Sequence, residues 1–311
     1  MDNTANQQNG LPKNRTQRES WSISSSAMAK RTVNPIRRIV DAMKIEPNPD
    51  YKVISLSIGD PTIFGNLLPH ENMLTSVEKS LRTNKHNGYA PAVGEIAARK
   101  TIAAHMSVPD APLTEKDIII TSACSGALEL CIGTLANPGE NILIPKPGFS
   151  IYQTIAISNG CEVRAYNLQP ENDWEVDLAH MESLIDTNTS AIIVNNPSNP
   201  CGSVYTKQHL IDICKVAERN RLPIIADEIY AYSVFSGETF HPMAACTETV
   251  PILSCCAISK RFLVPGWRLG WIQIHDPAGV LDEVRAGLFD MATRILGANT
   301  VAQGAVPVSF D

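Results

Sequence analysis

Six short apolar runs dominate the chain between residues 117 and 274, and helical patterns separate most of them. The runs are DIIIT (117–121), ILIP (142–145), AIIVN (191–195), PIIAD (223–227), PILSC (251–255) and LGWIQI (269–274). Helices are predicted over 125–136, 149–159, 177–186 and 206–221. Strands that are apolar on both faces and alternate with helices are typical of a mostly parallel sheet covered on both sides. The sequence therefore predicts an α/β fold whose ligand crevice lies beyond the carboxyl ends of the strands.

The remaining segments show weaker patterns. An amphipathic helix is predicted over 34–43, and the run VISLSIG (53–59) predicts a further strand. Helical patterns follow over 71–83 and up to His105, and a last one covers 278–296. The chain contains no internal repeat.

Composition excludes several classes of protein. The 311 residues are 44% hydrophobic and carry a net charge of −6, which is ordinary for a globular protein and does not favour nucleic acid as a partner. No apolar run approaches the ~18–20 residues that cross a membrane. Eight cysteines without a C-x-x-C pair predict free thiols, rather than disulfides or a metal site, in a reducing compartment such as the cytoplasm. Arg15, Arg18 and several serines leave a mitochondrial transit peptide as the alternative, although Asp2 and Glu19 speak against it.

Lys260 is the first candidate for chemistry. It follows the apolar run PILSC in the segment SCCAISKRFLVPGWRLGW, and Arg268 lies eight positions later. Burial penalises a lysine charge, and a lysine with a lowered pKa can form a Schiff base with an aldehyde. The alternative is a surface lysine beside a strand.

Other polar residues stand where predicted strands end. Asp227 closes PIIAD, where a carboxylate needs a partner, and Tyr230 follows three residues later. The turn NNPSNPCG (195–202) contains Asn199. Because the carboxyl ends of parallel strands meet at one edge of a sheet, we expect these side chains to lie together.

Two further positions follow strands and open helices. Ala123, Cys124 and Ser125 begin a predicted helix, where exposed N–H groups and the helix dipole favour an anion. Ser125 is alternatively only an N-cap. Phe149 begins the next helix and is either a stacking aromatic or a core residue.

These motifs together resemble the class I aminotransferases, which are pyridoxal-phosphate enzymes of fold type I, and most of all the branch that acts on tyrosine. The resemblance rests on NPIRRIVDAM, SLSIGDPTIFGNL, NNPSNPCGSVY and LVPGWRLGWIQIHD, and it covers roughly residues 30–306. It implies that Lys260 binds the cofactor covalently, that Asp227 pairs with its ring nitrogen, and that Phe149 stacks on its ring. Asn199 and Tyr230 would donate hydrogen bonds to its phenolic oxygen.

The resemblance also implies a phosphate site and a partner. Arg268 and the turn of Ala123, Cys124 and Ser125 would hold the cofactor phosphate, and Tyr89 would reach the phosphate of a neighbouring subunit, which requires a homodimer. Gly59 and Asn199 would lie beside the substrate. Many relatives place serine three residues before the lysine as a further phosphate ligand, whereas this chain has Ala257.

The implied reaction moves the amino group of L-tyrosine, or a related aromatic amino acid, to 2-oxoglutarate in tyrosine and phenylalanine catabolism. Two alternatives keep the same cofactor residues. One is a lyase or synthase of the same fold. The other is a truncated form that binds only the cofactor or a partner subunit.

The resemblance also implies domain boundaries. We expect a disordered tail over 1–29, a contribution to a small domain over 30–80, and the cofactor-binding large domain over 81–311. In the family a further unit of roughly a hundred residues completes the small domain and carries the arginine that grips the substrate carboxylate. The sequence offers no residue for that role, so we expect cofactor capture with little response to L-tyrosine.

Overall fold

The computed structural model describes Trp21 and residues 23–44, 46–54 and 59–310. Residues 1–20 of the predicted tail lie outside the described residues. So do positions 55–58 of the strand predicted over 53–59, and 53, 54 and 59 are not in a strand. The first helix begins at Ala27, inside the segment predicted as tail.

An eight-stranded sheet forms the centre of the molecule. Its strands are β1 (Ile118–Thr121), β2 (Asn141–Lys146), β3 (Glu162–Gln169), β4 (Glu175–Val176), β5 (Thr189–Asn195), β6 (Ile224–Asp227), β7 (Ile252–Ala257) and β8 (Gly270–His275). Their order across the sheet is β1-β8-β7-β6-β5-β2-β3-β4. The five strands from β7 to β3 run parallel, whereas β8 pairs antiparallel with both β7 and β1. The predicted α/β fold with a mostly parallel sheet is confirmed.

The six strands predicted between residues 117 and 274 are all present, and β3 and β4 are two that the sequence did not predict. Strand β3 reads EVRAYNLQ and is only partly buried, because it lies near the edge of the sheet. Its Arg164 forms ion pairs with Glu162 and Asp186 at 3.0 and 2.8 Å. Because strands near a sheet edge carry such charged residues, a search for apolar runs does not find them.

Helices cover both faces of the sheet. They are α1 (Ala27–Arg31), α2 (Pro35–Ala42), α3 (Glu71–Thr83), α4 (Ile96–Met106), α5 (Ala123–Leu135), α6 (Ile151–Asn159), α7 (Leu178–Ser183), α8 (Lys207–Arg219), α9 (Ile258–Arg261), α10 (Asp282–Ala292) and α11 (Thr300–Ser309). One core layer lies between the sheet and α5, α6 and α10, and a second lies beneath α8. Helix α11 was not predicted because Pro307 stands inside it. Within the described ranges, no helix combines the length and the apolar character that crossing a membrane requires.

The entrance to β8 passes very close to the turn before α5. A Cβ atom added to Gly270 would stand 2.4 Å from the carbonyl carbon of Ala123 and 2.7 Å from the nitrogen of Cys124. Ala123 itself has a φ of +61°, so this turn already holds a non-glycine residue in the left-handed region. Glycine at position 270 is therefore what allows the two backbones to meet.

We predict that Gly270→Ala lowers stability by about 2–3 kcal/mol, since backbone rather than a flexible side chain must move. Gly266→Ala is the matched control, because a Cβ there meets no atom within 4 Å. Thermal and urea unfolding of the two variants measure the difference. Equal unfolding midpoints for both would contradict the steric argument.

Candidate active site

A cavity of about 490 Å³ lies beyond the carboxyl ends of β5 and β6. Its walls include most of the residues singled out in the sequence, namely Gly59, Cys124, Ser125, Phe149, Asn199, Asp227, Tyr230 and Lys260. They come from six separate segments of the chain, and the parallel strands bring them to one edge. The predicted position of the crevice is therefore confirmed by the geometry.

Asp227 lies at the base of this cavity and is only 2% exposed. The Tyr152 hydroxyl donates to Oδ2 at 2.6 Å, and the Ile229 N–H and the Cys124 thiol donate to Oδ1 at 3.2 and 3.5 Å. Burial raises the pKa of Asp227, although these three donors oppose the shift. Within the described ranges, no cationic side chain forms a salt bridge with this carboxylate, so a cationic group of a ligand would stabilise it.

Tyr152 is a site residue that the sequence interpretation missed. It is fully buried on α6, and its aromatic ring meets that of Phe149 edge-on at 5.9 Å between centroids. Burial and the nearby Asp227 charge raise the pKa of Tyr152 well above its usual value, so the hydroxyl stays protonated and donates. The available signal was its spacing, since Tyr152 lies three residues after the candidate Phe149 in the segment predicted as a helix, although α6 begins only at Ile151.

Lys260 reaches the cavity from the short helix α9, directly after β7. Its amino group donates to the carbonyl oxygen of Gly59 at 2.8 Å. Burial lowers the pKa of Lys260, and the Asp60 carboxylate partly offsets this. A lower pKa increases the fraction of neutral amine, which is the nucleophilic form of lysine.

An anion site lies where α5 begins. Arg268 donates to the Ser125 hydroxyl at 3.0 Å and to the Pro265 carbonyl oxygen at 3.0 Å. Ser122 is the N-cap residue of α5, so the alternative that Ser125 is only a cap is wrong. A guanidinium, a hydroxyl and the positive end of a thirteen-residue helix together suit a phosphate group.

The Asn-Pro turn is tied to the aspartate. Asn195 is the register partner of Asp227 across β5 and β6. Its side-chain amide donates to the Asp227 carbonyl oxygen at 3.0 Å, and its Oδ1 accepts from the Asn199 N–H at 2.7 Å. The Asn199 side chain and Tyr230 both line the cavity, and burial raises the pKa of Tyr230. Asn195 was missed although it ends an apolar strand as Asp227 does.

Three predicted residues stand apart from the cavity wall. Tyr89 is 90% exposed, and Ala123 is buried beneath the turn, where it contributes backbone only. Arg268 lines an adjoining cavity of about 650 Å³, which shares Ser125 with the first. The wall of the first cavity also contains Asn34 and Arg37 from the start of α2, which the sequence interpretation did not assign to the site.

The residues present fit pyridoxal phosphate. A buried carboxylate that has no salt bridge among the described residues suits a cationic ring nitrogen, and the arginine and helix end suit a phosphate. A half-buried amine suits an aldehyde. Phe149, 39% exposed at the cavity wall, offers an aromatic face.

We predict that Tyr152→Phe destabilises the protein by about 1–3 kcal/mol and weakens binding of pyridoxal phosphate several-fold, because the Asp227 carboxylate loses its shortest donor. Tyr166→Phe is the matched control. Tyr166 is equally buried, and its hydroxyl donates to the Ile193 carbonyl oxygen over a distance of 2.7 Å. Tyr166 is not part of the cavity wall. The Tyr166→Phe variant should be less stable than wild type but should bind pyridoxal phosphate with unchanged affinity. Equal affinities in the two variants would show that the Tyr152 contact is structural only.

Comparison with known proteins places the chain in a family. Residues 51–309 match the family model for aminotransferase class I and II. The chain is 54% identical over 287 residues to tyrosine aminotransferase of Mus musculus, covering 92% of this chain and 63% of that protein. It is 51% identical over 305 residues to tyrosine aminotransferase of Bos taurus, covering 98% and 68%. The chain thus spans a little under two thirds of the length of the mouse relative.

Solved structures agree. The crystal structure of tyrosine aminotransferase from Leishmania infantum superposes with a TM-score of 0.88 at 33% identity, covering 93% of this chain and 72% of that one. Alanine aminotransferase from Pyrococcus furiosus superposes with a TM-score of 0.85 at 31% identity, covering 92% of this chain and 72% of that one. Pyridoxal phosphate is the cofactor of this family, as the resemblance implied. With the cavity, the lysine and the aspartate at the predicted edge of the sheet, the chain belongs to the class I and II aminotransferases.

Proposed function

We propose that this chain is a transaminating enzyme that takes the amino group of L-tyrosine, or a related aromatic amino acid, and passes it to 2-oxoglutarate. The observation that carries the proposal is a single cavity in which the Lys260 amine and the buried Asp227 carboxylate both stand. The relatives named as tyrosine aminotransferases support the choice of substrate. We further infer that it works in the cytoplasm in tyrosine and phenylalanine catabolism.

Side chains of different charge would each hold a different group of the cofactor. Lys260 would hold pyridoxal phosphate through its aldehyde group, and the buried Asp227 carboxylate would pair with the ring nitrogen. Asn199 and Tyr230 would donate to the phenolic oxygen, and Phe149 would stack on the ring. Ser125, Arg268 and the first turn of α5 would hold the phosphate.

Proton transfer falls to Lys260. When bound, pyridoxal phosphate acts as an electron sink that makes the α-proton of an attached amino acid removable. The Lys260 Nζ, which stands in the same cavity as Asp227, would be the base that takes up and returns the proton of the substrate α-carbon. The lowered pKa of Lys260 favours the neutral amine that accepts this proton. Asp227, buried and held by three donors, keeps its orientation during the reaction.

Assembly into a homodimer gives the exposed Tyr89 a role. At 90% exposure it is free to meet a second copy of the chain rather than its own cavity. The adjoining cavity beside Arg268 and Ser125 is open to such an approach. We therefore include the Tyr89 hydroxyl of a second copy among the phosphate ligands.

Lys260→Ala should remove the cofactor's covalent attachment and lower transamination by orders of magnitude, because nucleophile and base are lost together. Lys79→Ala, on the exposed face of α3, is the control. Absorbance of loaded protein, borohydride reduction and peptide mapping locate the adduct. A stable adduct on any other lysine would contradict the assignment.

Asp227→Asn should fold, yet bind pyridoxal phosphate on the order of 2–4 kcal/mol more weakly, since a charge-assisted bond to the ring nitrogen is lost. Equilibrium binding and the rate of α-proton exchange from L-tyrosine measure this. Wild-type behaviour in both assays would make the carboxylate structural.

Product analysis separates the proposed reaction from the alternatives. The proposed reaction requires loaded protein to convert L-tyrosine to the corresponding 2-oxo acid and 2-oxoglutarate to restore the original spectrum, whereas the sequence led us to expect little response. Release of ammonia without an acceptor would indicate a lyase. A spectrum that does not respond to L-tyrosine would indicate a form that binds cofactor alone.

A further inference from the structure

Glu228 is a buried acidic residue beside Asp227 that the proposed chemistry does not use. Its side chain is only 3% exposed, and Oε1 accepts from the Met243 N–H at 2.7 Å. Its own N–H donates to the Cys255 carbonyl oxygen at 3.0 Å, and its carbonyl oxygen accepts from the Ala231 N–H at 2.8 Å. Glu228 therefore joins the end of β6 to β7, to the turn carrying Tyr230, and to the short 3-10 helix Met243–Cys246.

The surroundings of Glu228 do not neutralise its charge. The titratable and charged groups facing it are Asp227, Tyr232, Cys246 and Cys256, and it shares the wall of a small cavity with His105 and Arg261. Arg261 is stacked over the Tyr232 ring at 4.8 Å. Among the described residues, no cation lies within salt-bridge distance of Glu228. Ser254 stands beside the carboxyl without a hydrogen bond of good geometry.

Two consecutive buried carboxyl groups thus stand at the end of one strand. Asp227 faces α5 and α6, whereas Glu228 faces the Met243–Cys246 helix. Burial raises the pKa of Glu228 to about 7, with the Asp227 charge adding to the shift and the Met243 N–H opposing it. A cation held by Asp227 would favour the ionised form of both groups.

We propose that Glu228 is a positioning residue for Asp227: it anchors the strand end that carries Asp227, and its negative charge helps to retain the proton on the cofactor's ring nitrogen. The inference rests on the proposed function, since it needs a cationic ring at Asp227. By reciprocity, a loaded cofactor favours ionisation of Glu228 as much as ionised Glu228 favours the cationic cofactor.

Glu228→Gln tests the charge, because the amide oxygen can still accept from the Met243 N–H. Wild-type and variant proteins are loaded with pyridoxal phosphate that carries ¹⁵N in its ring, and the chemical shift of the ring nitrogen is followed against pH. The pH midpoint at which the ring nitrogen loses its proton should fall by about half a pH unit or more in Glu228→Gln, because the cationic form of the ring loses a nearby negative charge. Glu171→Gln removes the same charge at an exposed position outside the walls of these cavities and should titrate like wild type. An unchanged midpoint in Glu228→Gln overturns the proposal, even if the variant is less stable.

A second measurement needs no variant. In wild-type protein carrying ¹³C-labelled glutamate, the infrared band of a protonated glutamic acid should disappear between about pH 6 and 8. Loading with pyridoxal phosphate should move that transition to lower pH. A transition that loading leaves in place overturns the proposal. Wild-type protein that forms no cofactor band at all would instead contradict the proposed function.

Discussion

A buried carboxylate at the end of β6 is the constraint on which the site depends. Removing Asp227 from water is costly, and the fold compensates with Tyr152, Cys124 and the Ile229 N–H instead of a lysine or arginine. These donors fix the carboxylate without neutralising it. Helices α5 and α6 must therefore stand where they do, because each supplies one of the donors. The charge that remains is available to a cationic ligand in the cavity.

The anion site depends on a different constraint, the close approach of two backbones. Gly270 begins β8 beside Ala123 and Cys124, and Arg268 lies two residues earlier. The same contact therefore brings the guanidinium to the Ser125 hydroxyl at the start of α5. Strand β8 runs antiparallel to β7, so the chain returns through the sheet immediately after Lys260. The lysine and the arginine consequently reach neighbouring parts of the site from one short segment.

The beginning of the chain completes the cavity from outside. Arg31 donates to the carbonyl oxygens of Ile157 and Ser158 near the end of α6, and Thr154 donates to the Val33 carbonyl oxygen at 3.2 Å. These contacts place the start of α2 over the cavity, where Asn34 and Arg37 form part of its wall. Further along, the Gly59 carbonyl oxygen meets the Lys260 amine. The early part of the chain thus contacts both sides of the site, through Arg31 and Val33 on one side and through Gly59 on the other.

The sequence by itself determined the sheet, its mostly parallel direction and the edge at which the chemistry occurs. Buried parallel strands must be apolar on both faces, so a polar residue at a strand end, such as Asp227, is visible in the sequence. The motif around Lys260 was equally visible because it is local. Strand β3 escaped detection since its exposed positions are charged, and α11 escaped because of Pro307.

Only the tertiary structure decided which side chains serve the buried carboxylates. Tyr152 donates to Asp227 across 75 positions of sequence, and Lys260 meets Gly59 across 201. The burial of Glu228 without a cation likewise follows from the packing of β6, β7 and the Met243–Cys246 helix. Hydrogen bonds and desolvation depend on distances in space, which strand order sets and local sequence patterns do not contain.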